Sequence, residues 1–212
     1  MNIAVYFLNF GSELKVMSKA ERTKQFIIEK TAPIFNAKGY AGTSMNDLIN
    51  ATGLTKGSIY GNFENKDAVA VAAFDYNYSK IVTHIKQKTQ QESSMIDKLL
   101  VYPKTFRDFF KLPFLQEGCP VLNTSTEADD THPLLRKKAI AALALWKKAI
   151  VMYIEKGIED GEIKPDTNAT SFAIVVMSLI EGAMMQAKLH GSDEALNITM
   201  DHLEKMILAL KE

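Results

Sequence analysis

Closely spaced signals for helix starts constrain the fold of this chain more than any other feature of its sequence. Ser44 followed by Asp47 is typical of a helix N-terminus, and Thr55 is a residue type that caps the next helix. Gly53 breaks the chain between the two. Apolar residues recur through this segment at Met45, Leu48, Ile49, Leu54, Ile59 and Phe63. The pattern predicts short helices joined by a tight turn, as in a helix-turn-helix.

A generic helical hairpin would show the same spacing, so the outward-facing residues decide between the two interpretations. On the predicted third helix they are Lys56, Gly57, Ser58, Tyr60, Gly61 and Asn62, which are small or hydrogen-bonding. Small residues let a backbone approach a DNA groove, Lys and Tyr donate to phosphate oxygens, and Asn can contact a base edge. The helix starts at Ser44 and Thr55 add amide donors for phosphates. The sequence therefore predicts a DNA-contacting helix.

Charge is uneven along the chain, although 25 basic residues balance 25 acidic residues overall. Residues 18–66 contain seven basic and four acidic residues, which gives this segment a net charge of +3 and leaves −3 for the rest. A protein that coats nucleic acid would be basic throughout. A basic segment on an acidic remainder is typical of a site-specific DNA reader with a separate sensing domain.

The last two predicted helices indicate association between two copies of the chain. Residues 172–189 are apolar almost all round, and apolar residues of the final helix recur at steps of three and four. We expect a four-helix interface in a homodimer. Its predicted residues are Val176, Ile180, Met184, Met200, Leu203, Ile207 and Leu210. The alternative is that both helices simply complete the core of one copy.

Several functional classes lack their usual signatures. The most apolar stretch is interrupted by Glu181 and Lys188, so we expect no membrane span. The single cysteine, Cys119, and the absence of a recognisable export signal favour the reducing cytoplasm. Glycine-rich phosphate loops, nucleophile turns and metal-ligand spacings are not found, so we expect neither an enzyme nor a bound metal or cofactor. Residues 1–17 are interpreted as an extra N-terminal arm or as a segment upstream of a start at Met17.

The segment from Glu21 to about Val71 resembles the TetR family of bacterial repressors. The motifs that carry the resemblance are Phe35, Gly39-Tyr40, Gly42-Thr43-Ser44, TGLTKGSIYGNF at residues 52–63, and Lys66-Asp67. Weaker likeness continues through Gly118-Cys119-Pro120, Asn123, Glu127 and Gly161 to Asp166. The resemblance implies an all-α homodimer with an N-terminal three-helix DNA-binding domain, placed at 18–66, and a C-terminal helical bundle for effector binding and dimerisation, placed at 67–212.

The resemblance also assigns roles to individual residues. It implies phosphate contacts by Thr43, Thr55, Lys56, Tyr60 and Lys66, and a base-facing surface at Gly57, Ser58, Gly61 and Asn62. Ser44 joins this set because it starts a helix. The expected partner is double-stranded DNA carrying a palindromic operator, from which a small-molecule effector releases the repressor. The alternative is a DNA-binding dimer with no small-molecule effector.

Candidate effector contacts are aromatic, sulfur-containing and acidic residues of the C-terminal bundle: Phe106, Phe110, Cys119, Trp146, Tyr153, Met177, Glu181 and Met185. Such residues could equally be ordinary core. Glu181 requires a partner because it interrupts an apolar helix, and a cationic ligand or a neighbouring Lys or Tyr would serve. Cys119 follows Gly118 at a predicted helix start, where a thiolate would be stabilised, so redox or electrophile sensing is the alternative to a buried apolar role.

Overall fold

The computed structural model describes residues 18–212, and this part of the chain folds into nine α-helices with one short 3₁₀ turn at Phe109–Lys111. The predicted segment 1–17 lies outside the described residues. The helices are α1 (Lys19–Gly42), α2 (Met45–Thr52), α3 (Lys56–Tyr60), α4 (Lys66–Thr89), α5 (Met95–Arg107), α6 (Pro120–Ala128), α7 (Pro133–Glu159), α8 (Ala169–His190) and α9 (Glu194–Leu208). The predicted all-α class is confirmed.

Side-chain caps set the helix boundaries around the predicted helix-turn-helix. Ser44 accepts a hydrogen bond from the Asp47 N–H, and the Asp47 carboxylate accepts one from the Ser44 N–H. The Thr55 hydroxyl accepts from the Ser58 N–H at the start of α3. Gly53 ends α2 with φ +67°, a left-handed conformation that glycine adopts without a Cβ penalty. The predicted starts of α2 and α3 are confirmed.

Helices α1 to α3 pack around a small core, and α4 continues from them into the C-terminal bundle. Ile27, Leu48 and Ile59 are fully buried in this core. The 24-residue α4 packs against α1 at one end and against α5 and α7 further along. A single helix therefore belongs to both parts of the molecule. A displacement of α4 within the bundle would also displace α4 against α1.

The seam predicted between two copies lies inside one copy. Val176, Ile180 and Met184 of α8, together with Met200, Leu203 and Ile207 of α9, are each at most 2% exposed, and Leu210 is partly buried against the same core. The prediction that these side chains form the dimer interface is therefore wrong. Helical periodicity identifies the face that packs, but it does not say whether the covering helix comes from the same chain.

Helix α8 is long and apolar enough to cross a membrane by length and composition alone. In this fold it packs against α7 and α9, and part of its surface is covered by them. Four of its other apolar residues are exposed, Ile174, Val175, Met185 and Leu189. Helix α9 likewise exposes Ile198 and Leu208. The two helices thus carry an apolar outer face as well as the buried seam.

Candidate DNA interface and ligand cavity

Helix α3 is held by its buried side and offers its other side to solvent. Ile59 is fully buried and Phe63 nearly so, which fixes the orientation of α3 on the small core. On the opposite side, Thr55, Lys56, Gly57, Tyr60 and Gly61 are exposed, while Ser58 and Asn62 are half-buried. The predicted outward set therefore lies on one accessible face.

Two details of α3 favour close approach by an outside partner. A Cβ added to Gly57 would meet nothing nearer than the Thr55 hydroxyl at 4.0 Å, so packing within the protein does not require glycine there. The Asn62 amide donates to the Ser58 carbonyl at 2.9 Å, which leaves its side-chain oxygen as the group free to accept. The Lys56 ammonium lies 5.8 Å from the centre of the Tyr60 ring.

The last turn of α1, which follows a kink at Gly39, is fastened to the C-terminal bundle by Glu127 of α6. Its carboxylate accepts hydrogen bonds from the Tyr40 and Ala41 backbone N–H groups, both at 2.8 Å. Gly39 has φ +71°, and a Cβ added there would lie 2.3 Å from Glu127 Oε2. We call this contact the Glu127 clasp. It requires glycine at position 39 for backbone conformation and for space.

Further polar contacts join the same two regions. The Asn36 side-chain amide donates to the Gly118 carbonyl at 2.9 Å, and the Asn123 amide donates to the Asn36 carbonyl at 3.0 Å. The Tyr40 hydroxyl donates a hydrogen bond to the Asp67 carboxylate, and this hydrogen bond raises the pKa of Tyr40 to about 12. The turn that precedes α2 is therefore positioned by α4 and α6 together.

A cavity of about 610 Å³ lies in the C-terminal bundle. Its wall comes from α4, α5, α7 and the residues at the start of α6. Four of the predicted effector contacts line it: Phe106, Cys119, Trp146 and Tyr153. The sequence interpretation missed Tyr78, Tyr102 and three lysines, Lys86, Lys98 and Lys148, which also line it. The volume falls in the range of small-molecule sites, roughly 300–1,000 Å³.

Two parts of this chain match families of known proteins. Residues 27–73 match the family described as "Bacterial regulatory proteins, tetR family", and residues 96–203 match the "Tetracyclin repressor-like, C-terminal domain". A TetR-family regulator from Cytophaga hutchinsonii is 46% identical, with TM-score 0.86, over 93% of this chain and 98% of that one. The chain belongs to the TetR family. A TetR regulator from Chloroflexus aurantiacus is 35% identical, with TM-score 0.86, over 91% and 97% of the two chains.

This chain is also similar to a transcriptional repressor from a Mycobacterium species. The HTH-type transcriptional repressor DhaR from a Mycobacterium species is 25% identical over 82% of this chain and 86% of its own. Regulators of the TetR family bind DNA and form dimers, so this chain is a DNA-binding transcriptional regulator with the helix-turn-helix at α2 and α3.

Two of the phosphate contacts implied by the TetR resemblance are engaged inside the protein. Thr43 is fully buried, and its hydroxyl donates to the Gly39 carbonyl at 2.6 Å. Lys66 is half-buried, donates to the Tyr40 carbonyl at 2.6 Å and lies 4.2 Å from the Tyr40 ring centre. In this structure both residues support the turn, and the implied contacts require their side chains to leave these partners.

Four predicted effector contacts do not line the cavity. Phe110 is exposed beside Phe109, and Met185 is exposed on the outer face of α8. Met177 packs against the core, and Glu181 lies behind Cys119. Aromatic, sulfur-containing or acidic character does not tell which side of a helix faces a cavity, which is why these four were placed wrongly.

Cys119 and Glu181 form a buried pair. The Cys119 thiol donates to Glu181 Oε1 at 3.0 Å, so the partner of Glu181 is a thiol instead of the expected Lys, Tyr or ligand. Burial raises the pKa of Glu181 to about 7. Burial and the neighbouring carboxylate raise the pKa of Cys119 well above its ordinary value, despite the helix start. The expectation of a stabilised thiolate is therefore wrong for the buried Cys119, and redox or electrophile sensing stays an untested alternative.

Proposed function

We propose that this regulator is a cytoplasmic homodimeric repressor that leaves a palindromic operator when a small molecule enters the cavity of the C-terminal bundle. The observation that carries the proposal is the combination of an accessible α3 face with a separate cavity about 610 Å³ in volume. A regulator without a small-molecule effector has no need of such a volume inside its bundle. The cavity therefore favours a regulator that responds to an effector over a DNA-binding dimer that has none.

The proposed dimer joins the outer faces of α8 and α9 from two copies. Ile174, Met185 and Leu189 of α8 and Ile198 of α9 are each more than half exposed in one copy. Exposed apolar residues on neighbouring helices mark association surfaces. A two-fold axis through this face would present two copies of α3, and repressors of this kind bind half-sites about 34–36 Å apart.

Two helices connect the cavity to the DNA interface in the proposed release. Helix α4 supplies Tyr78 to the cavity wall and begins with Lys66, which holds the Tyr40 carbonyl. Helix α6 follows Cys119 at the cavity and ends near the Glu127 clasp. A ligand that displaces either helix would move the turn before α2. About 5 kcal/mol of preference for the displaced arrangement is enough to empty an operator.

A footprint on the DNA that flanks the gene of this protein tests the proposal. We expect protection of a palindromic site at low salt, with half-site centres about 34–36 Å apart on one DNA face. Addition of a ligand that fills the cavity should remove the protection. The absence of any protected palindrome under these conditions would contradict the proposed operator binding.

A further inference from the structure

The cavity of the C-terminal bundle has an exposed rim and a buried floor. Exposed residues of α4 and α7 form the rim, and they include Thr83, Gln87, Leu145, Lys148 and Met152. The floor consists of residues that are at most 6% exposed, and these include Ile81, Tyr102, Phe106, Cys119 and Val121. A ligand that enters between α4 and α7 therefore leaves water and meets this floor.

Tyr102 brings an unengaged hydroxyl group to the floor. The residue is 2% exposed and lines the cavity, and its hydroxyl has no hydrogen-bond partner among residues 18–212. In that range, the enclosed side-chain polar atoms without a partner are His132 Nε2, Trp146 Nε1 and Glu181 Oε2. Since the Tyr102 hydroxyl is not one of these atoms, it keeps accessible surface, which the cavity provides. Burial raises the pKa of Tyr102 above its ordinary value, so the phenol stays protonated and can donate.

The other buried polar groups of the wall already have partners. The Cys119 thiol donates to Glu181 Oε1 at 3.0 Å. The Tyr78 hydroxyl donates to a backbone carbonyl of α7 at 3.1 Å, and the Thr89 hydroxyl donates to a carbonyl of its own helix at 3.1 Å. Tyr102 therefore supplies the free hydrogen-bond donor of the floor.

The charged groups of the wall belong to its rim. Within residues 18–212, the charged residues that line the cavity are Lys86, Lys98 and Lys148, and none of them is buried. A lysine can keep its ammonium group in water while its stem covers apolar surface. A charged ligand group carried to the floor would lose its hydration and find no opposite charge there, which is costly. The floor therefore suits an uncharged ligand.

Aromatic rings form much of the apolar wall. The rings of Phe106 and Trp146 lie 5.7 Å apart, centre to centre, with an angle of 31° between their planes. Tyr78, Tyr102 and Tyr153 also line the cavity. Aromatic side chains favour offset or edge contacts with a further ring. A ligand that contains an aromatic ring would therefore find matching surfaces in this wall.

We propose that the cavity binds an uncharged aromatic molecule whose carbonyl or similar neutral acceptor group takes a hydrogen bond from the Tyr102 hydroxyl. This inference rests on the proposed function, because it names the chemical class of its effector. The competing occupants are a charged aromatic molecule of the same size and a hydrocarbon that is bound without a hydrogen bond.

Four compounds with one phenylethyl skeleton separate these occupants. Benzylacetone is a ketone, and its alkene analogue has a methylene group in place of the carbonyl oxygen. Hydrocinnamate carries a carboxylate, and the amine analogue of benzylacetone carries an ammonium group. Trp146 lines the cavity and is the only tryptophan of the chain, so the saturable change in its fluorescence reports each affinity in the absence of DNA. We expect the ketone to bind about tenfold more tightly than either ion.

Matched tyrosine variants test the assigned donor. Tyr102→Phe removes one hydroxyl and keeps the ring. We expect the ratio of ketone affinity to alkene affinity to fall about fivefold, as for one lost hydrogen bond between neutral groups. The affinity for the alkene should stay unchanged, which shows that the cavity is intact. Tyr78→Phe makes the same change at a wall residue whose hydroxyl is already engaged, so the ratio should stay at its wild-type value.

Two results would overturn the assignment to Tyr102. One is an unchanged ratio in Tyr102→Phe, or an equal fall in Tyr102→Phe and Tyr78→Phe. The other is a fall confined to Tyr153→Phe, because Tyr153 is the half-buried tyrosine of the same wall and would then be the donor.

The outcomes distinguish this inference from the proposed function. Equal or tighter binding of hydrocinnamate or of the amine would refute the uncharged class and leave an effector role intact. Failure of all four compounds to bind would contradict the inference, whereas a footprint of the ligand-free protein would still support operator binding. Absence of that footprint would instead contradict the proposed function, because the fluorescence titration uses no DNA.

Discussion

Glu127 occupies the space that a side chain at Gly39 would need. Its carboxylate lies 2.3 Å from the position of a Cβ at Gly39, and it holds the next two backbone N–H groups of the turn. The two residues come from different parts of the fold, the end of α1 and the end of α6. The contact therefore joins the DNA-binding helices to the helix that starts at the cavity.

Substitution at Gly39 should be more harmful than the same substitution at Gly53, another glycine with positive φ. Gly39 has φ +71° and ψ 179°, a backbone region open almost only to glycine, and it lies against Glu127. Gly53 has φ +67° and ψ 10°, in the left-handed helical region, and no atom would meet a Cβ there within 4 Å. We expect Gly53→Ala to lower the free energy of unfolding by about 1–2 kcal/mol, the cost of a left-handed residue. Gly39→Ala should cost at least about 1 kcal/mol more, because Glu127 must move and because the backbone conformation of Gly39 is open almost only to glycine. Urea denaturation measures both, and equal losses would argue against steric contact at Gly39.

Removal of the Glu127 carboxylate should uncouple the cavity from DNA binding. Glu127→Ala leaves two backbone donors without their acceptor, and we expect a loss of about 1–3 kcal/mol in unfolding free energy. The same variant should show a smaller effect of cavity ligands on operator affinity, measured by fluorescence anisotropy. Glu155→Ala, at an exposed position of α7, is the control for both measurements. Full ligand response in Glu127→Ala would exclude the Glu127 clasp from the release pathway.

The raised pKa of Glu181 gives the protein a specific dependence on pH. The carboxyl group holds its proton more tightly in the folded chain, with a pKa of about 7 against 4.5, so its contribution to stability is complete below about pH 4.5 and is lost as pH rises through 7. The maximum loss is about 3 kcal/mol. Glu181→Gln should abolish this loss. The free energy of unfolding of the variant should therefore rise relative to that of the wild type between pH 5 and pH 8. Urea unfolding at both pH values measures the gain. Parallel pH profiles for the two proteins would contradict the burial of an ionisable Glu181.

The outer face of α8 should control association. Met185 and Ile140 are 54% and 56% exposed, on α8 and α7 respectively. We expect Met185→Glu to shift the dimer toward monomer in sedimentation-velocity experiments, because it buries a charge in the proposed interface. Ile140→Glu introduces the same charge on a face outside the interface and should leave the dimer intact. Equal dissociation in both variants, or in neither, would place the interface elsewhere.

Local chemistry explains what the sequence could predict. Ser44, Gly53 and Thr55 act on backbone groups within a few residues, so their types were enough to place the start and the end of α2 and the start of α3. The family motif added the prediction that the exposed face of α3 contacts DNA. The same motif did not reveal that Thr43 and Lys66 are engaged with Gly39 and Tyr40 in this structure.

Long-range packing explains what the sequence could not predict. In the Glu127 clasp, Glu127 is 87 positions from Tyr40 and 86 positions from Ala41 in the sequence. No local sequence pattern contains a contact between residues so far apart. The apolar period of α9 was correctly identified, but the covering helix proved to be α8 of the same chain. The lysines of the cavity wall resemble any solvated lysine in the sequence. Only the arrangement of α4, α5 and α7 brings them to one cavity.

The salt dependence of DNA binding by Lys56→Ala tests the central claim most directly. Lys56 is exposed on α3, and a lysine that contacts one phosphate adds about 0.9 to the slope of log affinity against log salt. Operator and unrelated DNA are each titrated by fluorescence anisotropy at several salt concentrations, with Lys137→Ala as the exposed control. We expect Lys56→Ala to weaken binding to both DNAs and to reduce the slope by about 1 per contacting subunit. Unchanged affinity and slope in Lys56→Ala would show that α3 is not the helix that contacts DNA.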